Sequence, residues 1–496
     1  MSQIACKELL EALRPVVTDC GARALKAFYA QQLGQTVSGK AAIDEDIETR
    51  LHAVVTKLTP TYGFLAEECP AFHRPPAASE TRYWLIDPND GTRPFQQGYR
   101  GPSVSIALIE DGLPILGIVY AYAARCGQGD YFEWSDDTAL RRNGLYVQWQ
   151  QACPVALVSN NAELRHDGYQ QRVTPLRYQP APGIAYRLAL LAAGRGLIAL
   201  SLGRPRDLDI AGGHALLIGA GLELYDANGQ PVRYTYDQSR IQSTVIGGSL
   251  RDCQPILNRL TKDYVKTSAV RPPWYVAPKL GETVQNYEAL DRLSGAVVGC
   301  LIADSLMQNT ALLDCLDQTS WAHDVGQLGQ VGGHLVSNLT ALLDKPAPEE
   351  LPHTNPGVIS MLPRLLGTPH SEFAAWLSTQ DTEVQQFGHW LGHLLYPQSF
   401  ERKENEIFDE LESAVNGAVS FVDGLGLAQE HGVSDRRLLW IATYLGANFG
   451  RNALPESMVA CLETCRPNTI DSTDRIYLTR PDILVERVLA LGALHG

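Results

Sequence analysis

Two carboxylates, Asp87 and Asp90, stand three residues apart across a proline in the run Trp84-Leu85-Ile86-Asp87-Pro88-Asn89-Asp90-Gly91-Thr92. The apolar residues 83–86 before them read as a strand end, and Gly91-Thr92 as a turn into a helix. Carboxylates fixed at a strand end suit a hard cation such as Mg²⁺, which takes oxygen ligands in strict geometry. The free backbone N–H groups where a helix begins suit a phosphate. One short segment therefore points to a divalent metal and to phosphate.

Two other acidic segments add to it. Upstream, Gly63-Phe64-Leu65-Ala66-Glu67-Glu68 ends an apolar stretch in paired glutamates, a pattern that also fits a solvated strand end. Downstream, Asp207-Leu208-Asp209-Ile210-Ala211-Gly212-Gly213-His214 opens an expected helix, where Asp209 equally suits the positive end of the dipole. The elements that must position these groups can be read from periodicity. Residues 4–31 predict an amphipathic helix with Leu9, Leu10, Leu13 and Val16 on one face, and 41–58 a second with Ile43, Ile47, Leu51 and Val55. Residues 104–109 and 115–120 flank Glu110-Asp111-Gly112, a hairpin signal. Residues 185–193 predict a helix stopped by Gly194-Arg195-Gly196, then a strand over 197–200, and 222–225 with 226–229 a strand and turn. Mixed strands and helices to about residue 265 predict a layered α/β domain.

Arg271-Pro272-Pro273-Trp274 and Pro278 mark a linker, beyond which strand signals nearly vanish. The expected organisation is a domain over 1–268, a linker over 269–287 and an all-α domain over 288–496. At 496 residues, two or three domains are the prior. A formal charge of −14 argues against a nucleic-acid polymer or an anionic membrane as partner, both of which favour basic patches. A small phosphorylated substrate stays open, since a bound metal reverses the local field. The longest apolar run, 104–124, is broken by Glu110-Asp111-Gly112, so no membrane span is expected. The opening Met1-Ser2-Gln3-Ile4-Ala5-Cys6-Lys7-Glu8 lacks the basic and apolar regions of a secretory leader. Ten scattered cysteines, without Cys-x-x-Cys, suit a reducing cytoplasm, and Cys461 and Cys465 read as packing rather than ligation.

The three acidic segments, in this order, resemble the inositol monophosphatase superfamily, whose pattern is Glu-Glu, then Asp-Pro-x-Asp-Gly-Thr, then Trp-Asp-x-Ala-Gly. The resemblance covers roughly 1–270 and implies a sugar-phosphatase-like αβαβα fold. It implies that Glu67, Asp87, Asp90 and Asp209 ligate two or three Mg²⁺ ions, with the carbonyl of Asn89. It also implies that Asp44 and Thr92 orient the attacking water, Glu67 belonging to the same catalytic group. Asp44 lies in the run Asp44-Glu45-Asp46, which also reads as a solvated face. The Gly91 and Thr92 N–H groups would hold phosphate oxygens. The sequence departs from the family in two places. Leu208 stands for the tryptophan, and Val37-Ser38-Gly39-Lys40-Ala41-Ala42 replaces a Lys, Ser-Pro-Val-Thr segment, Ile43 or Ala42 taking the threonine's place. Arg93 and Arg187 occupy positions that resemble the 3′(2′),5′-bisphosphate nucleotidase branch. Each is either a cation for a second phosphate or a surface arginine. His214 is either a substrate contact or a structural histidine.

The second domain carries a different resemblance, over about 290–465. Gly295, Gly299 and Ala303 recur every four residues in a helix ending Ala303-Asp304-Ser305-Leu306, and His353-Thr354-Asn355-Pro356-Gly357-Val358-Ile359-Ser360-Met361-Leu362-Pro363 and Tyr444-Leu445-Gly446-Ala447-Asn448-Phe449-Gly450 follow. These resemble ADP-ribosylglycohydrolases. The family's Asp-Asp-Thr corresponds to Ala322-His323-Asp324-Val325 and its Asp-Thr-Asp-Thr to Val433-Ser434-Asp435-Arg436, so carboxylates are missing from each. Two adjacent Mg²⁺ ions need several carboxylates. The domain reads as a non-catalytic descendant used for packing, homo-oligomerisation, protein binding or ligand sensing. His389 and His393, one turn apart with Trp390 between them, read as core or surface residues.

The expected whole is a cytoplasmic, Mg²⁺-dependent phosphate monoester hydrolase for a small metabolite, 3′-phosphoadenosine 5′-phosphate or an inositol phosphate. Two rivals stand beside it. One is a catalytically weak binding or regulatory protein, the other an active ADP-ribosylhydrolase built on Asp304, Asp324 and Asp435.

Overall fold

The computed structural model describes residues 4–32, 40–96, 99–124, 129–147, 155–160, 162, 166–236, 243–260, 287–307, 335, 364–365, 370–380, 382–395, 400, 406–433, 435–454 and 458–459. The chain divides into two compact units, Met1–Lys279 and Leu280–Gly496. The expected linker lies mostly outside the described residues.

The first unit opens with helices α1 (Cys6–Gln32) and α2 (Lys40–Leu58), within two residues of the periodicity at each end. Their apolar faces, Leu9, Leu13, Val17, Ile47, Leu51 and Val55 among them, share one core with Trp84, Ile86, Ile106 and Ile118. Those last residues belong to a seven-stranded sheet in the order β1 (Gly63–Ala66), β2 (Tyr83–Asp90), β3 (Ser103–Glu110), β4 (Leu113–Ala121), β5 (Asp130–Ser135), β6 (Arg141–Arg142) and β7 (Leu145–Tyr146). β1 runs parallel to β2 and the remaining pairs are antiparallel. The β3–β4 hairpin turns on Asp111 and Gly112, with φ of 49° and 81°. Positive φ at both central residues is the turn that Asp-Gly favours between twisted strands.

The other face of this sheet takes α5 (Ile184–Ala192) and α6 (Asp207–Gly219). The approach is close enough to require glycine: a Cβ on Gly212 would fall 2.5 Å from Ser105 Oγ. Beyond these helices lies a second sheet in the order β11 (Glu223–Asp226), β12 (Val245–Gly248), β10 (Ile198–Ser201), β8 (Val155–Val158) and β9 (Arg177–Pro180). Tyr169 and Val173 of α4 (His166–Val173) and Cys253 and Ile256 of α7 (Leu250–Leu257) cover its far side. Helix pair, sheet, helix pair, sheet and helix pair make the αβαβα order.

One boundary differs from the sequence reading. The strand expected to end near residue 86 continues to Asp90. Its register against β3 slips: Asp87 pairs with Ser105, but Asp90 pairs with Ser103. Three steps on β2 match two on β3, so one extra residue bulges at Pro88-Asn89. Pro88 has no N–H to offer the ladder, and a bulge is where a strand tolerates that loss.

In the second unit the described elements are helices: α8 (Tyr287–Met307), α9 (His370–Leu377), α10 (Thr382–Leu395), α11 (Glu406–Ala414), α12 (Phe421–Glu430), α13 (Asp435–Phe449) and a 3₁₀ turn at Arg451–Ala453. α8 packs on α13 through the expected small residues. A Cβ on Gly295 would run into the carbonyl of Gly446, and one on Gly299 into that of Ala442.

Candidate active site

The bulge decides where the two aspartates point. In a regular strand, residues three apart face opposite sides. One extra residue restores the match, and Asp87 and Asp90 both pair with serines on the same face of β3, Ser105 and Ser103. That face meets α5 and α6. Asn89 turns the other way, toward α2: its Nδ2 donates to Asp44 Oδ1 at 3.0 Å.

Asp87, Asn89 and Asp90 are 2%, 2% and 6% exposed. Asp87 Oδ1 accepts the Asn89 N–H at 2.8 Å, which holds the bulge. Burial pushes the Asp87 carboxyl well above the usual carboxylate range, and its negative neighbours Asp90, Glu67 and Asp209 push further. Asp90 is pushed up to about 8, by burial first and then by Asp209. It lies at the start of α5, where Asp90 Oδ2 accepts the Ala185 N–H at 2.7 Å. Gly183, just before that helix, has φ of 77°, and a Cβ there would fall 2.6 Å from the Gly101 carbonyl oxygen and 3.1 Å from Asp90 Oδ2. Asp207 is pushed up to about 7 by burial and by Asp209.

Glu67 follows the end of β1. Glu48, buried on α2, holds this turn: its carboxylate accepts the Glu68 and Cys69 N–H groups at 2.7 and 2.9 Å. Asp209 sits in the first turn of α6, its Oδ2 accepting the Arg206 N–H at 2.8 Å. The Arg206 side chain reaches the other way, Nη1 to Glu67 Oε1 at 2.8 Å, with both side chains 30% exposed. Glu67, Asp90 and Asp209 are each near enough to Asp87 to raise its pKa.

Among the described residues, no three of His, Cys, Asp and Glu form a ready ligand group. Glu67 and Asp209 are each engaged with Arg206, and Asp90 with the α5 backbone. The donor set itself, all oxygen and net negative, fits a hard divalent cation. Mutually repelling buried carboxylates are relieved by such a charge.

Of the acidic run 44–46, only Asp44 is buried, 1% exposed. Helical spacing puts it on the inner face with Ile47, Glu48 and Leu51, while Asp46 pairs with Arg50 at 2.9 Å on the outside. Thr92 Oγ1 donates to the Asn89 carbonyl oxygen at 3.5 Å. Asn89 therefore connects Thr92 to Asp44, with its backbone facing one and its side chain the other. Tyr122, fully buried, donates its hydroxyl to Asn89 Oδ1 at 2.6 Å. Gly91 has φ of 92°, and α3 (Thr92–Gln96) follows with Phe95 buried as its anchor.

The two candidate phosphate arginines part ways. Arg93 is exposed on α3. Arg187 is 4% exposed; its Nε donates to the Ala181 carbonyl at 3.1 Å and its Nη1 to that of Leu200 at 2.8 Å. Arg187 thereby ties α5 to β10, and its charge holds Asp90 lower than burial alone would. His214 is structural. Its Nδ1 meets the Tyr234 hydroxyl at 3.0 Å and its Nε2 meets Glu223 Oε1 at 2.5 Å, and the ring is wholly buried.

Sequence reading missed Arg206, Glu48 and Tyr122. Arg206 stood beside the Asp207-Leu208-Asp209 motif and was the findable one. Glu48 lies one helical turn after Asp44, but nothing in sequence ties it to residues 68 and 69. In the second unit, Asp304 is buried at 1% exposure, and His393 Nδ1 meets the Phe400 carbonyl oxygen at 2.8 Å. Asp324, the segments 37–39 and 353–363, and Cys461 and Cys465 lie outside the described residues.

Layered sheets with a carboxylate cluster at the inner helix starts define an α/β phosphatase-type unit. The family model described as the inositol monophosphatase family matches residues 6–264, and the chain belongs to that family. It is thereby a phosphoric monoester hydrolase. Mg²⁺ dependence is general among the family's members. Among curated relatives, the 3′(2′),5′-bisphosphate nucleotidase CysQ of Escherichia coli (strain K12) is 32% identical over 190 residues, 37% of this chain and 74% of the relative. The protein of the same name from Salmonella typhimurium is 30% identical over 223 residues, 42% of this chain and 85% of the relative. An inositol monophosphatase structure from Zymomonas mobilis covers 52% of this chain and 100% of its own, at 20% identity and a TM-score of 0.41. No helix of the described residues is long and apolar enough to cross a membrane.

Proposed function

We propose that the chain is a Mg²⁺-dependent hydrolase of a small phosphorylated metabolite, with 3′-phosphoadenosine 5′-phosphate the favoured substrate and inositol monophosphate next. The observation that supports this reading is the buried Asp87, whose carboxyl is pushed up by burial and by Asp90, Glu67 and Asp209. The printed activity of the CysQ relatives supports the bisphosphate.

Glu67, Asp87, Asp90, Asp209 and the Asn89 carbonyl would hold two or three Mg²⁺ ions, whose chemistry is to neutralise the phosphoryl group and to acidify water. Asp44, buried and aligned through Asn89 with Thr92, would accept the proton of the attacking water. The Gly91 and Thr92 N–H groups would bind phosphate oxygens at the start of α3. Arg93, exposed at that point, would bind the second phosphate of a bisphosphate. Tyr122 keeps Asn89 in register from below. Positioning and charge then do most of the work of in-line hydrolysis.

The same proposal includes the wider organisation: a phosphatase domain over 1–268, a linker over 269–287, and a helical domain over 288–496 derived from ADP-ribosylglycohydrolases without their chemistry. That domain would serve packing, self-association or a protein partner, in a cytoplasmic setting without nucleic-acid polymer or membrane.

Phosphate release from a panel of sugar, inositol and nucleotide phosphates under Mg²⁺ tests the reading. The highest kcat/KM is expected for the bisphosphate, and no release from any member overturns it. Arg93→Ala is expected to lower kcat/KM for the bisphosphate about tenfold, the worth of one charged hydrogen bond, and to leave inositol monophosphate unchanged.

A further inference from the structure

We infer that Arg206 is an internal counter-cation that competes with the divalent metal for Glu67. This rests on the reading of Glu67 and Asp209 as ligands. Arg206 holds both at once: its Nη1 is 2.8 Å from Glu67 Oε1 and its N–H 2.8 Å from Asp209 Oδ2. The main-chain contact fixes where the residue starts, at the entry to α6, and the side chain then spans to the end of β1. The two ligands that arrive on separate elements are thereby drawn to one residue.

The charge distribution explains why a cation belongs there. Asp87 and Asp90 are almost wholly buried, and Glu67 and Asp209 add to the repulsion that each would feel on ionising. Without a partner, Glu67 would add to that repulsion. Arg206 gives it a guanidinium partner at 2.8 Å. Arg187 is nearby, but its Nε and Nη1 donate to backbone carbonyls. When a divalent ion takes Glu67, the Arg206 side chain must let go. At 30% exposure the side chain has solvent beside it to turn into. Arg206 therefore lowers the affinity of the site for metal while stabilising the metal-free fold.

Calorimetric titration of the full chain with Mg²⁺ alone, together with melting in the absence of metal, tests this. Arg206→Gln is expected to bind Mg²⁺ about two- to fivefold more tightly, the span of a half-exposed ion pair. Its metal-free melting temperature is expected to fall by about 1–3 °C. A purely structural arginine would lower the melting temperature without tightening Mg²⁺. A general electrostatic effect would persist without Glu67, so a double-mutant cycle separates the two. In the Glu67→Gln background the added Arg206→Gln change is expected to leave Mg²⁺ affinity where it was. Unchanged or weaker Mg²⁺ binding by Arg206→Gln, or an undiminished gain in the Glu67→Gln background, overturns the inference alone. No Mg²⁺ binding by the unaltered chain, or none lost in Glu67→Gln, overturns it together with the ligand assignment.

Discussion

Glycine brings a helix close to its neighbour in both units, with different results. In the first, Gly212 lets α6 approach β3, and the close layer ends at helix starts facing Asp87 and Asp90. In the second, Gly295 and Gly299 let α8 lie on α13, and the contact is backbone against backbone. Asp304 is the one buried carboxylate among the second unit's described residues. Close packing is thus common to both, while buried carboxylates that repel one another belong to the first. A small-residue stripe reports packing. A site needs charges that the fold keeps together against their repulsion, and that cost is tolerated where a function uses it.

The comparison breaks most easily at Asp90. Asp90→Asn keeps the shape and an acceptor for the Ala185 N–H but removes a carboxyl that repels its neighbours when it ionises. Phosphate release is expected to fall at least about a hundredfold, while the metal-free melting temperature holds or rises. A variant that keeps full activity would remove Asp90 from the site. Gly295→Ala asks the opposite question in the second unit. Its Cβ meets the Gly446 carbonyl, so the helices must separate, at about 1–3 kcal/mol of stability by denaturant melting. Phosphate release per folded molecule is expected to stay unchanged.

Tyr122→Phe sharpens the first unit's side. It leaves the buried Asn89 Oδ1 without the hydroxyl that donates to it, at a cost of about 1–3 kcal/mol. Asn89 then aligns Thr92 and Asp44 less well, so kcat is expected to drop while KM changes little.

The smallest effect concerns the polar trio behind α6. Burial holds His214 below its ordinary 6.5. Glu223 lies below its ordinary 4.5: burial opposes this, but its hydrogen bond and attraction to His214 outweigh it. Both groups bind more protons when unfolded, so their stabilising contribution is complete above about pH 6.5. It is lost first through His214 as pH falls below 6.5, then through Glu223 below 4.5. Melting temperatures of the unaltered chain and His214→Gln are expected to converge as pH falls from 7.5 toward 5. A constant gap would show that His214 does not titrate on unfolding.

Much of the first unit was legible. The periodicity of α1 and α2, the Asp-Gly hairpin and the Gly194 stop are local signals, and each formed where its residues predicted. The bulge was not legible, because Asp87-Pro88-Asn89-Asp90 gives no local sign that its strand continues past the proline. The burial of Arg187 was not legible, because an arginine's sequence neighbours do not reveal whether carbonyls or solvent will surround it. In the acidic run 44–46, burial was decided by which face of α2 met the sheet.

By itself, then, the sequence determined which residues could bear charge and where helices and hairpins would start and stop. Only the tertiary structure decided that one extra residue in β2 turns Asp87 and Asp90 to the same side. It alone decided that Arg206 stands between Glu67 and Asp209, and that Arg187 is buried with carbonyls among its partners. The physical reason is range: propensity and turn chemistry act over a few residues, whereas charge pairing and burial depend on which distant segments the core brings within hydrogen-bonding distance.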